Sequence, residues 1–143
     1  MIRCFLIVLG LAVSGVGFGQ KAFVGTYEVI RYVNDKKVEN AKLPPGQVTW
    51  LELKKDGKWV MRDMMVGFEG TWRYANGNIL LTFIEGPAGK LKQRITETLR
   101  PNPDYKLLVL SKNGKRVMDF RNDPAFLKKL AERAKGVGIR IGK

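Results

Sequence analysis

Thr49-Trp-Leu-Glu-Leu-Lys-Lys-Asp-Gly-Lys-Trp-Val-Met61 and Gly70-Thr-Trp-Arg-Tyr-Ala-Asn-Gly-Asn-Ile-Leu-Leu-Thr-Phe83 decide the fold of this chain. In each, an apolar/polar alternation meets Asp-Gly or Asn-Gly and resumes beyond it, which is the signature of two antiparallel strands joined by a tight turn. Two such hairpins in series, with no helix-period segment between them, predict a meandering antiparallel sheet that the flanking chain must extend or close.

The registers follow from burial. A two-residue turn at Asp56-Gly57 places Leu53 opposite Val60. A three-residue loop with Gly57 in a bulge places Leu53 opposite Trp59 and Leu51 opposite Met61, and this sorts the faces better: Leu51, Leu53, Trp59 and Met61 on one, Glu52, Lys54, Lys58 and Arg62 on the other. At Asn76-Gly77 the two-residue turn works directly, pairing Tyr74 with Ile79, Trp72 with Leu81 and Gly70 with Phe83.

Outward from these hairpins, Phe23 to Val33 is rich in β-branched and aromatic residues and reads as the first strand. A turn-like Asn34-Asp35-Lys36-Lys37 and a polar loop through Leu43-Pro44-Pro45-Gly46 follow, either a lid over a barrel mouth or an exposed linker. Further strands are expected at 91–99, 105–111 and 115–121, the last two flanking Asn113-Gly114. The count reaches about eight, at which a meander closes into a small up-and-down barrel. Asn122-Asp123-Pro124 starts a helix whose Phe126, Leu127, Leu130, Ala131 and Ala134 share one side; it is expected on the barrel exterior or at one end. Leu51-x-Leu-x-Lys-x-Gly-Lys-x-Val-Met61 recurs as Leu108-x-Leu-x-Lys-x-Gly-Lys-x-Val-Met118. Duplication or convergence of basic hairpins explains it, and the unmatched flanks favour convergence.

The 143 residues suit one domain. Residues 1–19 have a basic start, an apolar run too short to span a membrane, and Gly17-Phe18-Gly19 before Gln20, which reads as a cleaved secretory signal peptide. Cys4 precedes the apolar run, whereas a lipoprotein needs its cysteine at the cleavage point. We therefore expect an exported protein, periplasmic or extracellular, with a barrel and helix over 20–136 and a flexible basic tail over 137–143. The chain has no His and a single Cys. Cys/His zinc sites, Ser-His-Asp or Cys-His catalysis and internal disulfides are thereby excluded, and no cofactor is expected.

The formal charge of +13 bears on partners and solubility. Basic strands bearing Trp50, Trp59, Trp72 and Tyr74 would suit nucleic acid, but the export signal and the even scatter of Lys and Arg argue against it. An anionic envelope surface fits better. For catalysis, Glu97 on an apolar strand face, alone or with Glu28 as a glycosidase-like pair, is the best candidate; solvated or ion-paired carboxylates explain both more simply, and no enzyme is expected. Arg31, Gln93 and Glu97 interrupt faces that otherwise read as buried, and unpaired burial of such groups is costly. Either an Arg31–Glu97 ion pair fills a closed core, or the two orient the head group of a ligand held between Trp59, Trp72, Tyr74 and Phe83.

Gly25-Thr26-Tyr27, the Leu-x-Leu-x-x-Asp-Gly-x-Trp of 51–59 and Gly70-Thr71-Trp72 before Asn-Gly resemble the bacterial secreted lipocalin-like domain family over residues 21–121. Lipocalins proper carry Gly-x-Trp on the first strand with an Arg packed over it; here Tyr27 and Arg121 stand nearest to those places. The resemblance implies a binding module for a small apolar or amphipathic molecule, with a ligand-free cationic surface module as the alternative. Expression in a secreting bacterial host should yield a mature chain beginning at or near Gln20. Intact mass checks this, and a periplasmic product retaining residues 1–19 would contradict it.

Overall fold

The computed structural model describes residues 18–38, 48–62, 67–102 and 107–136. Most of the signal segment, the Pro-Pro loop and the basic tail lie outside the described residues. Nine antiparallel strands follow a helical turn (Phe18–Lys21): β1 (Gly25–Val33), β2 (Lys36–Val38), β3 (Trp50–Leu53), β4 (Lys58–Arg62), β5 (Gly67–Ala75), β6 (Asn78–Gly86), β7 (Gly89–Pro101), β8 (Leu107–Lys112) and β9 (Lys115–Arg121). β1 and β3 to β9 pair in sequence and β9 returns to β1, so eight strands close an up-and-down barrel. β2 is an addition on the β1 edge, where the sequence alone suggests only a turn and a loop. Asn34 and Asp35 both take positive φ, which suits a two-residue hairpin turn, and Val33 pairs with Lys36.

Both central hairpins adopt the expected registers. Leu53 faces Trp59 and Leu51 faces Met61; Tyr74 faces Ile79, Trp72 faces Leu81 and Gly70 faces Phe83. Gly57 has φ 80° and Asp56 no positive φ, hence the longer loop, whereas Asn76 and Gly77 are both left-handed. The recurring string of β8–β9 folds differently. Asn113 takes a positive φ that Asp56 does not, and Leu110 faces Met118 where its counterpart Leu53 faces Trp59. The likeness of the two strings therefore does not extend to their registers.

Inward side chains from all eight barrel strands, among them Tyr27, Leu51, Trp59, Trp72, Leu81, Leu99, Leu108 and Phe120, form one core with Phe23. A second buried layer lies on the outer face at the closure, where Glu28, Ile30 and Asp119 are almost fully covered. The C-terminal helix (Pro124–Gly136) packs against β1. Asp123 caps it by accepting from the Ala125 N–H at 3.0 Å, and Asn122 Nδ2 donates to the Thr26 carbonyl at 3.1 Å, tying the helix start to β1. The helix thus lies against β1, and none of its described residues joins the core cluster.

Trp72 lies inward and 3% exposed, while Arg73 points out. Trp72→Ala should cost about 3–5 kcal/mol and Arg73→Ala no more than about 0.5 kcal/mol. Urea midpoints check both, and equal costs would displace the β5 register by one residue.

Candidate functional site

The two ends of the barrel differ. At one end the β3–β4 and β5–β6 turns meet the N-terminal helical turn, and the closure is tight. Trp72 Nε1 donates to the Lys54 carbonyl at 2.9 Å, beneath the β3–β4 turn. The Tyr74 ring packs against Phe23 with centroids 5.1 Å apart and planes tilted by 31°. Tyr27 donates its hydroxyl to the Phe23 carbonyl at 2.7 Å.

Higher in the barrel, Trp59 reaches across β5 and donates its indole N–H to the Thr82 carbonyl of β6 at 3.1 Å. Gly70 makes that passage possible: a Cβ there would collide with the Thr82 carbonyl and lie 2.9 Å from Trp59 Nε1. The Trp59 ring meets Phe83 edge-on at 4.6 Å, and Phe83 meets Phe68 at 5.9 Å. This chain of rings leads to the second end, which carries β2, the β6–β7 tip and the β8–β9 turn.

The second end is open. Val33, Phe68 and Ile95 are the large apolar side chains that stay exposed among the described residues, at 56%, 36% and 53%. All three occupy inward positions at this end: Phe68 faces Met61, Ile95 faces Phe83, and Val33 continues the inward alternation of Tyr27 and Val29. Along the wall beside them, β8 pairs only with Leu99 to Pro101 of the long β7. Two clefts adjoin on β5 and β6. One of about 300 Å³ runs past Arg62, Phe68, Glu69, Glu85 and Pro87; the other, of about 230 Å³, lies over Lys54, Lys58, Val60, Glu69 and Ile84. Glu69 and Glu85 stand directly opposite each other, and the hydrogen bond to Glu69, followed by its charge, raises the pKa of the Glu85 carboxyl.

The six residues singled out in the sequence do not form one pocket. Trp72 and Tyr74 belong to the sealed end. Trp59 and Phe83 are in contact and lead toward the open end, where Arg31 and Glu97 also lie. Arg31 and Glu97 do not pair: Arg31 donates to Thr49 Oγ1 at 3.3 Å, and Glu97 binds Lys112 Nζ at 2.8 Å. The reason is the strand order, since continuing the β7–β8 register by two residues brings Lys112 opposite Glu97, while Arg31 lies two strands beyond β8. Nor do Glu28 and Glu97 share a site. Glu28 is on the outer face, where Arg121 holds it at 2.7 Å, and the Arg121 side chain is therefore given to that carboxylate. Beside this pair Tyr32 donates to Asp119 Oδ2 at 2.8 Å, and Arg116 binds Asp119 and lies over the Tyr32 ring. Burial and then that hydrogen bond raise the Tyr32 pKa.

Sequence reasoning misses Phe68 and Lys112. Phe68 continues the inward alternation of Gly70 and Trp72 by one step, a signal that suffices to find it; Lys112 needs the β7–β8 register. Searches of family models, of curated proteins and of solved structures return no match for this chain. What the structure shows by itself is a closed eight-stranded antiparallel barrel.

Burial pushes the Tyr27 hydroxyl up to about 12 from the usual 10. The neutral form is thus favoured in the folded state, so its contribution is complete below pH 10 and is lost as pH rises from about 10 through about 12. The loss should approach about 3 kcal/mol, because each tenfold difference in acidity between the folded and unfolded chain is worth about 1.4 kcal/mol. Urea midpoints from pH 9 to 12 check it, and Tyr27→Phe should flatten that decline relative to the parent chain.

Proposed function

We propose that the protein is an exported, non-catalytic barrel of lipocalin-like type that binds a small amphipathic molecule at its open end. The carrying observation is that the exposed apolar side chains Val33, Phe68 and Ile95 all occupy inward strand positions at one end of the barrel. Exposing large apolar groups to water is unfavourable, and gathering them at a mouth is how binding surfaces differ from ordinary ones. The lower barrel is filled, with Leu51, Leu81, Leu99 and Leu108 at most 1% exposed, so the ligand sits shallowly, its apolar part on Phe68, Phe83 and Ile95. Arg31, exposed beside this surface, meets an anionic head group. Trp59, in contact with Phe83, reports occupancy through its fluorescence.

Oleate and a neutral apolar dye are the probes. Both should give saturable changes in Trp fluorescence, and Arg31→Met should weaken oleate by about tenfold, the loss of one hydrogen bond to a charged group, while changing dye binding little. Absence of saturable binding across such a panel would refute a ligand barrel and leave the cationic surface, with heparin or anionic-vesicle retention as its measure.

A further inference from the structure

β7 is the longest strand, running from Gly89 to Pro101, yet β8 pairs only with its last three residues. Before Leu99 one edge of β7 is bonded to β6 at Gly89, Lys90 and Ile95 to Thr98, and on the other edge no further pair with β8 forms, though Lys112 at the end of β8 still reaches Glu97. The strands part within the regular β6–β7 ladder of Ile95 to Leu99; further along, residues 91–94 bulge opposite the single residue Ile84, between the pairs Glu85–Lys90 and Phe83–Ile95. No described residue covers the edge, since Lys92, Gln93, Arg94, Ile95 and Thr96 are all exposed. A bare strand edge offers unpaired N–H and C=O groups at regular spacing, which a further strand can take up.

The charges on the two lips select the occupant. Lys90, Lys92 and Arg94 lie on β7 and are exposed, as are Lys112 and Lys115 across the opening. Lys92 and Arg94 have no carboxylate partner among the described residues; Glu97, the acid of this seam, is already bound by Lys112. A second copy pairing edge to edge would set these cations against one another, which is how basic residues guard exposed edges. A strand with acidic side chains on its outer face meets the opposite condition. Its inner face would lie beside Ile95, exposed on the inward side of β7, and is therefore apolar.

We propose that the exposed edge of β7 ahead of Glu97, residues 91–96, accepts an extended segment of a partner protein in which acidic and apolar residues alternate, added as a strand beside β7 beyond the end of β8. The proposal concerns the edge of the wall and does not depend on a ligand at the mouth.

The probe is a fluorescein-labelled nonapeptide of alternating Glu and Val, followed by anisotropy with the mature chain. Saturable binding that weakens with salt is expected, with hydrogen-exchange protection appearing in residues 91–96. N-methylation of every second peptide amide should abolish binding. Lys92→Glu with Arg94→Glu should weaken it by at least about tenfold, and Lys92→Gln with Arg94→Gln by less; unchanged thermal unfolding of the neutral pair keeps the comparison valid if the reversed pair folds poorly. Equal binding of the N-methylated peptide, no effect of either double substitution, or protection confined to other strands would overturn the proposal. So would a peptide-free dimer in sedimentation that the peptide does not dissociate, since a second copy would then hold the edge.

Discussion

Closure of the wall at β1 is the constraint on which the rest of this structure depends. β1 divides its edges among three partners: Gly25 to Glu28 pair with β3, Arg31 to Val33 with β2, and Glu28 to Arg31 with β9. The last ladder joins segments about ninety residues apart, so the entropy of closing that loop must be recovered from what closure buries. Val29 meets Phe120 on the inner face, and Tyr27 and Leu51 join the same core. On the outer face the closure carries two carboxylates, Glu28 and Asp119, each almost fully buried and each held by a guanidinium, from Arg121 and Arg116. Such pairs add little net stability over apolar packing, but losing one cation would leave a desolvated charge at the join. The helix lies against β1 as well.

On the side of β7 and β8 the wall has three residue pairs among the described residues, against four to seven at the other barrel seams. An eight-stranded barrel is just wide enough to be filled by its own side chains, and the lower part of this one is. Trp72, Tyr74 and Phe23 seal the floor, with the polar atom of Trp72 satisfied by the Lys54 carbonyl. Trp59 spans the middle by lying over Gly70. Above Phe83 the inward positions outnumber the strands that could cover them, and Ile95, Phe68 and Val33 remain in contact with water. Short pairing and exposed inward residues thus occur together at one end, while the buried side chains are gathered in the floor and the closure.

Much of this is legible in the residues themselves. Alternation assigns each side chain of the central hairpins to a face, and turn chemistry sets their registers: Asn76 and Asn113 tolerate the left-handed conformation of a two-residue turn, whereas Asp56 leaves it to Gly57 alone. β2 leaves no such signal, because Lys36 and Lys37 are polar and exposed and no alternation marks a strand whose support is a turn and the β1 edge.

The sequence by itself determined an antiparallel meander of about eight strands, the faces of its hairpins and the helix that follows. Only the tertiary structure decided the height of each side chain along the barrel axis and its neighbours across the barrel. Trp72, Tyr74, Phe83 and Glu97 all read as inward residues, yet the first two seal the floor and the others stand toward the mouth. Glu97 went to Lys112 and not to Arg31 for the same reason. A period of two specifies which face a residue takes, and that information is local; height and cross-barrel contact depend on the stagger with which strands distant in sequence pair, which is settled only when the wall closes.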